Sequence, residues 1–370
     1  MRIEHLNMAV LQIPFKTSFK HASAERSKTA SVWVVAHSKN GELAGYGEGC
    51  PREYVTGESL ETALLWFNRH RASVLNDIHG IESLHQWINA HEQEINQNPA
   101  AWCAIELALL DLLGRASTQT LETLFALPPL SGAFQYSAVL GDSPTPVFER
   151  QVLHYLQAGF NDFKIKLSGK LDTDLEKIAC LKNSGSPLRI RADANNLWRS
   201  PLEVIGYLKS LEQPFWAIEE PLTPRDFAGL AQIASGLGIK IILDESFTNA
   251  QDFDPPSANP ELWILNLRVS KLGGLIRSLK LLAQARSYGI KVIIGAHVGE
   301  TSLLSRAALT LAAAAASDRA AMEGAFGTHL LEYDICDPSI MFGAKGVLQL
   351  DASSRLSAPG NGLQVQIKHP

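Results

Sequence analysis

Short apolar runs alternate with longer segments of helical periodicity over the C-terminal two thirds of the chain, and a polar residue closes most of these runs. The run at 163–167 is unusual because it carries Lys164 and Lys166. Strand side chains alternate between two faces, so the lysines share one face and the apolar residues share the other. Lysine is rarely buried without a partner. The pattern therefore predicts a strand whose polar face lines the inside of a barrel or the mouth of a cleft.

The residues that close the later runs recur at nearly constant intervals. From Lys166 onward the interval is 25 to 27 residues, the length expected for one strand, one helix and two loops in a parallel α/β barrel. Active sites of such barrels form at the C-terminal ends of the strands. An open doubly wound sheet places its site at one switch point instead, so the interval favours the barrel. The closing residues are Asp193, Glu219, Asp244, Lys271 (after the run 263–270), His297 and Glu323.

Residues 1–126 lack this interval and predict a separate α+β cap. Positions 30–37 alternate as in a strand, an Asn-Gly turn follows, and 43–47 completes a hairpin. Residues 60–114 have a helical pattern. The stretch 100–113 is apolar on most of its surface, so we expect this helix to be buried.

A linker with two prolines and a glycine, near residues 126–133, predicts the boundary between cap and barrel. We assign residues 127–340 to the barrel, with the first strand at 134–140. The segment 341–370 has strand patterning and glycine-rich turns, and we expect it to return to the cap. Helices are predicted at 144–158, 173–183, 201–211, 275–288 and 301–316.

Two loops of the cap, 15–23 and 50–58, mix aromatic, basic and hydroxyl side chains, and the second contains Thr56. This mixture suits a lid over a substrate. It suits a solvated surface loop equally well. The sequence leaves both interpretations open.

Composition narrows the classes of function. The 370 residues are 46% hydrophobic, enough for a barrel with an added domain. The net charge of −5 gives no basic stripe for nucleic acid. No apolar run is long enough to cross a bilayer, and the N-terminal segment lacks the apolar stretch of a signal peptide. The four cysteines form no CxxC pair, which argues against a zinc site or a disulfide framework. We expect a cytoplasmic protein that acts on a small molecule.

Three of the closing residues are carboxylates on adjacent predicted strands. Asp193, Glu219 and Asp244 should lie within roughly 5 Å of one another, where each like-charged pair costs about 3 kcal/mol at an effective dielectric of about 20. A divalent cation removes this repulsion, and an all-oxygen ligand set favours Mg²⁺ over zinc, with Mn²⁺ as the alternative. The competing interpretation pairs the carboxylates separately with Arg191, Lys164 or helix termini.

Lys166 and Lys271 flank the predicted metal site and are candidate proton-transfer groups. A base must be neutral, whereas a lysine with a pKa of about 10.4 is charged at neutral pH. Lowering that pKa by about three units costs about 4 kcal/mol, which a metal ion and the neighbouring Lys164 can supply. Lys164 can also bind a substrate carboxylate. The competing interpretation for Lys166 and Lys271 is a salt bridge to a metal-ligand carboxylate.

Five short motifs occur in a fixed order in the barrel segment: Lys-x-Lys at 164–166, Asp-x-Asn at 193–195, Glu-Glu-Pro at 219–221, Asp-Glu-Ser at 244–246 and Lys-x-Gly-Gly at 271–274. Together with Gly-Tyr-Gly-Glu-Gly at 45–49, this set resembles the enolase superfamily, specifically its muconate lactonizing enzyme subgroup, over nearly the whole chain. The resemblance implies a modified TIM barrel, (β/α)₇β, with an N-terminal α+β capping domain. It also implies a homo-oligomer.

The resemblance implies a role for each candidate residue. The three carboxylates named above would hold Mg²⁺, which binds the substrate carboxylate and stabilises the enediolate left when the α-proton departs. Lys166 and Lys271 would be acid and base on opposite faces of the α-carbon, and Lys164 would assist Lys166. Three more residues would orient these groups: Asn195, Glu220 and Glu245.

Departures from the family pattern bear on the substrate. Dipeptide epimerases of the subgroup usually carry Asp-x-Asp on the last barrel strand to hold the substrate amino group, and here Glu323 matches only the first acid. The cap segment Thr56-Gly57-Glu58 resembles a cap loop of those epimerases. His297 is either a substrate contact or a structural residue. Lys271 on the sixth strand argues against the His-Asp dyad of the mandelate racemase type.

The leading hypothesis is a Mg²⁺-dependent racemase or epimerase of an amino-acid derivative or dipeptide. Two alternatives use the same enediolate: cycloisomerisation of a muconate-like diacid, and elimination of water as in o-succinylbenzoate synthase, which needs only one lysine. A third alternative is a metal-binding or carboxylate-binding scaffold without catalysis. The presence of all the acids and lysines together argues against the scaffold.

Overall fold

The computed structural model describes residues 2–21, 24–183, 185, 187–350 and 362–368. Residues 15–21 of the predicted loop at 15–23 belong instead to a β-strand, and residues 22–23, like part of the tail, lie outside the described residues. The strands are β1 (Ile3–Leu11), β2 (Pro14–His21), β3 (Ala24–Lys28), β4 (Ser31–Ser38), β5 (Ala44–Gly49), β6 (Gly132–Gln135), β7 (Ala138–Leu140), β8 (Asp162–Lys166), β9 (Arg189–Asp193), β10 (Ala217–Glu219), β11 (Lys240–Leu243), β12 (Trp263–Leu267), β13 (Lys291–Ile294), β14 (Arg319–Met322) and β15 (Val347–Leu350).

The helices are α1 (Glu53–Thr56), α2 (Leu60–Asp77), α3 (Ile81–Ala90), α4 (Glu92–Gln97), α5 (Pro99–Ser117), α6 (Leu121–Leu124), α7 (Thr145–Gln157), α8 (Leu171–Lys182), α9 (Pro201–Ser210), α10 (Phe227–Leu237), α11 (Asp254–Ala258), α12 (Leu275–Tyr288) and α13 (Ser302–Ala315). Each of the five helices predicted in the barrel segment is present, with ends that differ by at most two residues. None of the described helices is both long and apolar enough to cross a membrane.

Strands β7 to β14 form one parallel sheet in sequential order, with a helix between each pair of neighbours. The amide of Ser137, just before β7, donates to the carbonyl of Met322 at the end of β14 over 2.9 Å, so the two edges of the sheet meet. Four residues of β10 to β13 form an apolar cluster separate from the main core: Ala217, Ile242, Ile264 and Ile293. The alternation of strand side chains places this cluster inside the barrel. The prediction of a (β/α)₇β barrel with an α+β cap is confirmed.

In the cap, α5 packs closely on the antiparallel sheet β1-β4-β5, and the predicted hairpin is formed by β4 and β5. Three alternate glycines of β5 face the helix: Gly45, Gly47 and Gly49. A Cβ atom on these residues would lie 2.2, 2.1 and 1.9 Å from backbone carbonyl oxygens of α5. Two strand residues rise about 6.7 Å and four helix residues about 6 Å. Strand and helix therefore stay in register over three contacts, which explains the Gly-x-Gly-x-Gly pattern.

Two buried glutamates of the cap hold the N-termini of barrel helices. Glu48 on β5 accepts from the Thr301 amide at 3.1 Å and from its hydroxyl at 2.6 Å, at the start of α13. Glu106 on α5 accepts from the Ile276 amide at 3.0 Å, in the first turn of α12. Barrel helices begin beyond the C-terminal ends of the strands that precede them, so these contacts fix the cap over the mouth of the barrel.

The predicted first barrel strand, 134–140, is wrong in part because the chain changes partners within it. The Tyr136 amide donates to the carbonyl of Gly346 at 2.8 Å, whereas the Ser137 amide donates to Met322. Strand β6 therefore pairs antiparallel with β15, and only β7 belongs to the barrel. A continuous apolar run does not reveal that its partner changes.

The described end of the tail contacts the cap helix α5. The Leu363 amide donates to Asp111 Oδ1 at 2.8 Å, and Arg115 Nη2 donates to the carbonyl of Val365 at 3.0 Å. Strand β15 instead joins the segment that leads into the barrel. The domain boundaries after residues 126 and 340 remain predictions.

We expect Glu106 to make unfolding pH-dependent. Burial raises the pKa of Glu106 from 4.5 to about 7. Between these values the folded protein keeps a proton that the unfolded chain loses, so stability falls as pH rises, by up to about 1.4 kcal/mol per pH unit. In Glu106→Gln this part of the slope should be absent. The check is the unfolding temperature at about pH 5 and about pH 7, with Glu203→Gln on the exposed face of α9 as control. Equal slopes in both variants would contradict the prediction.

Candidate active site

Lys164 of β8 lies at the centre of a cluster of carboxylates at the barrel mouth. Its Nζ is 2.9 Å from Asp193 Oδ2, 2.7 Å from Glu219 Oε2 and 3.2 Å from Glu323 Oε2, and the side chain is 2% exposed. Burial alone would lower the pKa of Lys164, but the three carboxylates outweigh burial and raise it. Lys164 is therefore a fixed cation.

Lys166, on the same face of β8, lies nearer the opening. Its Nζ donates to Asp193 Oδ2 at 2.5 Å and to Asn195 Oδ1 at 2.7 Å. The amide of Asn195 also donates to Asp193 Oδ1 at 3.1 Å. Asn195 has a positive φ of 44°, which turns the chain back over the end of β9. Asn195 and Asp193 therefore fix the position of the Lys166 ammonium group together.

The three predicted metal-ligand carboxylates close neighbouring strands, with Glu219 directly beside Asp193 in the sheet and Asp244 following β11. Burial raises the pKa of Asp193 and Asp244, but adjacent cations outweigh burial and lower both. Burial and then the charge of Asp193 raise the pKa of Glu219 to about 7. Glu219 Oε2 lies 2.7 Å from Lys164 Nζ, yet within the described residues it accepts no well-aligned hydrogen bond. The central carboxylate is therefore the least compensated of the three.

Glu220 holds the loop that carries Asp244. Its Oε1 accepts from the amides of Asp244 and Ser246, both at 2.7 Å, and its Oε2 accepts from the Ser246 hydroxyl at 2.8 Å. Burial raises the pKa of Glu220 to about 7. Burial, followed by the charge of Asp244, raises the pKa of the neighbouring Glu245 well above its ordinary value. Glu220 therefore orients Asp244, whereas Glu245 adds a further acid group to the same region.

Lys271 contacts Asp244 but does not lie at a strand end. Strand β12 ends at Leu267, so the predicted strand end at residue 270 is wrong, and Lys271 belongs to the turn before α12. Its Nζ donates to the Asp244 carbonyl at 2.8 Å, to Asp244 Oδ1 at 2.9 Å and to the Asn266 carbonyl at 2.7 Å. An ammonium group has three N–H donors, so these contacts use all of them.

Arg268 is the site residue that the sequence analysis missed. It follows β12, and it alternates with Asn266 so that both side chains project into the barrel. Arg268 Nη2 contacts Asp244 Oδ2 and lies 3.5 Å from Glu219 Oε1, to which Asn266 Nδ2 donates at 3.3 Å. The available signal was Asn-x-Arg at 266–268, the same alternation that marked the lysine strand.

His297 is buried beside Arg268. Its Nδ1 lies 3.4 Å from Arg268 Nη1, and its amide donates to Glu300 Oε1 at 2.6 Å. Burial, followed by the charge of Arg268, lowers the pKa of His297 well below its ordinary value. The imidazole is therefore neutral, and a role of His297 in substrate binding remains a prediction.

Glu323, after β14, is paired within the barrel. Its Oε1 accepts from Arg191 Nη2 at 2.8 Å, and its Oε2 lies 3.2 Å from Lys164 Nζ. Burial would raise the pKa of Glu323, but Lys164 and Arg191 outweigh it and lower the pKa to about 2. Glu323 is therefore a carboxylate whose charge is already balanced.

Thr56 lies in the cap and bonds within its own loop. Its hydroxyl donates to the carbonyl of Arg52 and to Glu58 Oε2, both at 3.3 Å. Glu58 in turn accepts from the amides of Ala100 and Ala101 at 2.8 and 3.0 Å. Thr56-Gly57-Glu58 therefore caps the N-terminus of α5, and its predicted role in substrate binding remains a prediction.

The carboxylates are bridged by cations in this arrangement. Lys164 joins Asp193 to Glu219, and Arg268 joins Glu219 to Asp244. Among the described residues, no three His, Cys, Asp or Glu side chains are grouped as a ready-made metal site. A metal ion would therefore have to take over contacts that the lysine and arginine now make.

A cavity of about 460 Å³ lies between α3 and α12, apart from this cluster. Its lining includes Ile88, Ile276, Arg277 and Leu279, and none of the candidate site residues. The charge cluster and the backbone topology, not this cavity, identify the candidate active site.

Comparisons with known proteins show the family of this chain. The family described as enolase C-terminal domain-like matches residues 147–368. A hydrophobic dipeptide epimerase from Enterococcus faecalis is 26% identical over 96% of this chain and 99% of that protein. An N-succinyl-L-Arg/Lys racemase from Bacillus cereus is 25% identical over 84% of each chain. The solved structure of the Enterococcus faecalis dipeptide epimerase with Mg and L-Leu-L-Tyr has a TM-score of 0.82 and 25% identity, covering 99% of both chains.

We expect Arg191→Met to destabilise the site strongly. Arg191 is fully buried and pairs with Asp162 at 2.7 Å and with Glu323 at 2.8 Å, and loss of one partner of a buried ion pair costs about 3–5 kcal/mol. Arg189→Met is the matched control, because Arg189 is 45% exposed and pairs with the same Asp162. Its loss should lower the free energy of unfolding by about 1 kcal/mol or less. Chemical denaturation measures both. Equal losses would contradict the assignment.

Proposed function

Because the chain belongs to the enolase C-terminal domain-like family, we propose that it abstracts the α-proton of a carboxylate substrate and acts as a racemase or epimerase. The position of Lys166 carries this proposal. Its ammonium group is held by Asp193 and Asn195 at 2.5 and 2.7 Å, beside the carboxylate cluster and near the opening. A lysine so placed can exchange a proton with a substrate bound above the cluster.

We propose Mg²⁺ as the cofactor, with Mn²⁺ as a substitute, held by Asp193, Glu219 and Asp244. Three hard oxygen ligands on adjacent strand ends suit this ion, and Glu219 Oε2, which accepts no well-aligned hydrogen bond from the described residues, offers a lone pair. When bound, the ion supplies positive charge to the substrate carboxylate and to the enediolate. Binding requires the carboxylates to exchange contacts with Lys164 and Arg268 for contacts with the ion.

Each side chain of the site has a separate role in the proposed proton transfer. In its neutral amine form, Lys166 takes the α-proton on its Nζ while the electron pair of the C–H bond moves into the enediolate. Asn195 and Asp193 hold that Nζ in place, which limits the geometry of the transfer. Lys164 keeps its proton and presents a fixed positive charge to the substrate carboxylate. Glu220 acts through Asp244, whose loop it orients.

The substrate class follows from the relatives and from Glu323. The relatives described above act on dipeptides and on N-succinyl amino acids according to their names, which supports an amino-acid derivative. Glu323 is already paired with Arg191 and Lys164, and Ala325 provides no second acid. This strand end therefore attracts a substrate ammonium group weakly. We propose that an N-acylated amino acid is preferred to a dipeptide with a free amino group.

A second outcome of the same proton abstraction is favoured by one observation. Inversion needs a proton-transfer group on each face of the α-carbon, and all three N–H donors of Lys271 are used by Asp244 and Asn266. Elimination of a β-substituent needs only Lys166. Elimination is therefore the second candidate function.

We expect Mg²⁺ binding to depend on Glu219. Titration calorimetry with Mg²⁺ alone should show binding to the parent protein and at least about 100-fold weaker binding to Glu219→Gln. Loss of a residue that only orients a metal ligand already weakens metal binding by up to about 100-fold, and loss of the ligand itself should weaken it at least as much. Glu203→Gln, on the exposed face of α9, is the control. Unchanged affinity in Glu219→Gln would contradict the proposed ligand set.

We expect the α-proton of a substrate to exchange with solvent. Proton NMR in D₂O with Mg²⁺, against N-acyl amino acids and dipeptides of both configurations, should show loss of an α-proton signal. Lys166→Ala should lower the rate by about 10³-fold, the typical contribution of a general base. Lys170→Ala, on the exposed part of the following loop, should leave it unchanged. Exchange at the parental rate in Lys166→Ala would exclude Lys166 as the base.

A further inference from the structure

Lys177 on α8 is a buried lysine that takes no part in the proposed proton transfer. Its Nζ donates to Asp142 Oδ1 at 2.7 Å, to Asp174 Oδ1 at 3.0 Å and to the carbonyl of Lys166 at 3.0 Å. The side chain is 0% exposed, and these contacts use all three N–H donors of the ammonium group. A lysine is rarely buried without such partners. Lys177 therefore holds the main chain of Lys166 from the outer helix α8.

Asp174, in the first turn of α8, holds the turn that follows Lys166. Its carboxylate accepts from the amide and hydroxyl of Ser168 at 3.0 and 2.9 Å and from the amide of Gly169 at 3.2 Å. Gly169 has a φ of 74°, a left-handed conformation that glycine adopts without steric cost. Asp174 is fully buried and pairs with Lys177. The sharp turn after Lys166 is therefore fixed by one buried carboxylate.

Two separate sets of contacts hold Lys166. Asp193 and Asn195 bind its Nζ, whereas Lys177 and Asp174 hold the main chain from which the side chain extends. The first set fixes only the end of a long and flexible side chain. A displacement of about 1 Å between reacting groups can lower a rate by about 100-fold, even when its cause lies far from the chemistry. The position of the main chain is therefore a second requirement for proton transfer by Lys166.

The same buried carboxylate links the turn after Lys166 to the loop that carries Asn195. Tyr207 on α9 donates its hydroxyl to Asp174 Oδ2 at 2.7 Å. The Tyr207 ring packs against Trp198, with ring centroids 4.9 Å apart. Trp198 lies in the loop after β9, three residues beyond Asn195. Both loops that place the Lys166 ammonium group therefore contact one buried network.

We propose that Lys177 and Asp174 are positioning residues that set the rate of proton transfer by holding the main chain of Lys166. This inference rests on the proposed proton abstraction and assigns part of its rate to α8. Because none of the three acceptors of Lys177 is a proposed metal ligand, the pair should act on proton transfer and not on Mg²⁺ binding. The competing interpretation is that the pair only anchors α8 to the barrel. In that case loss of the pair lowers stability but leaves the rate of each folded site unchanged.

The test is the rate of α-deuterium incorporation in D₂O for each folded site, with the N-acyl amino acid that the parent protein exchanges fastest. The stoichiometry of Mg²⁺ binding in titration calorimetry counts the folded sites. We expect Lys177→Met to lower kcat per site by about 100-fold, the effect of a displaced reacting group, with KM and Mg²⁺ affinity unchanged. Lys182→Met, on the exposed face of the same helix, is the control and should leave kcat unchanged.

Tyr207→Phe tests the inference even if Lys177→Met does not fold, because it removes only the hydroxyl that bonds Asp174 and keeps the ring. We expect kcat per site to fall here too, by less than in Lys177→Met, with KM unchanged. The parental rate per site in Tyr207→Phe and in any folded Lys177→Met would overturn this inference and leave the proposed proton abstraction intact. A loss of Mg²⁺ affinity that accounts for the lower rate would do the same. Absence of exchange by the parent protein with every substrate would overturn the proposed function and this inference with it.

Discussion

Burial of several carboxylates at one end of a barrel is the constraint on which the rest of this structure depends. Like charges on adjacent strand ends repel by about 3 kcal/mol per pair at roughly 5 Å, so cations must accompany them. Lys164 lies between Asp193 and Glu219, and Arg268 lies between Glu219 and Asp244. Because the central carboxylate is the least compensated, the site has a place for one more positive charge, which is the physical basis for proposing a divalent ion.

The cap completes this environment by the same kind of interaction. Glu48 and Glu106 are buried carboxylates that accept hydrogen bonds from the N-termini of α13 and α12. Helix N-termini carry partial positive charge and unpaired N–H groups, so each glutamate finds a partner at the mouth of the barrel. The glycine contacts between β5 and α5 hold Glu48 and Glu106 on one rigid unit. The cap segments that carry these glutamates are therefore anchored to the barrel helices.

The sequence predicts the barrel and its charged rim well, because the interval between strand ends is a direct consequence of the repeating strand and helix. It does not identify Arg268, because the constant interval selects Lys271 instead. Three residues separate Lys271 from the true end of β12 at Leu267. The sequence also did not predict the break between β6 and β7, because β15, the partner of β6, lies far away along the chain. The hydrogen bonds that use all the donors of Lys271, and the ion pairs that balance the charge of Glu323, depend on distances in the folded protein. No local sequence pattern predicts such distances.

The most direct test of the account is a crystal structure of the protein with Mg²⁺ and an N-acyl amino acid. We predict one ion among Asp193, Glu219 and Asp244, with Lys166 Nζ beside the α-carbon of the substrate. A structure in which Lys166 lies away from the α-carbon, or in which the carboxylates keep their cation partners and no ion binds, would contradict this prediction.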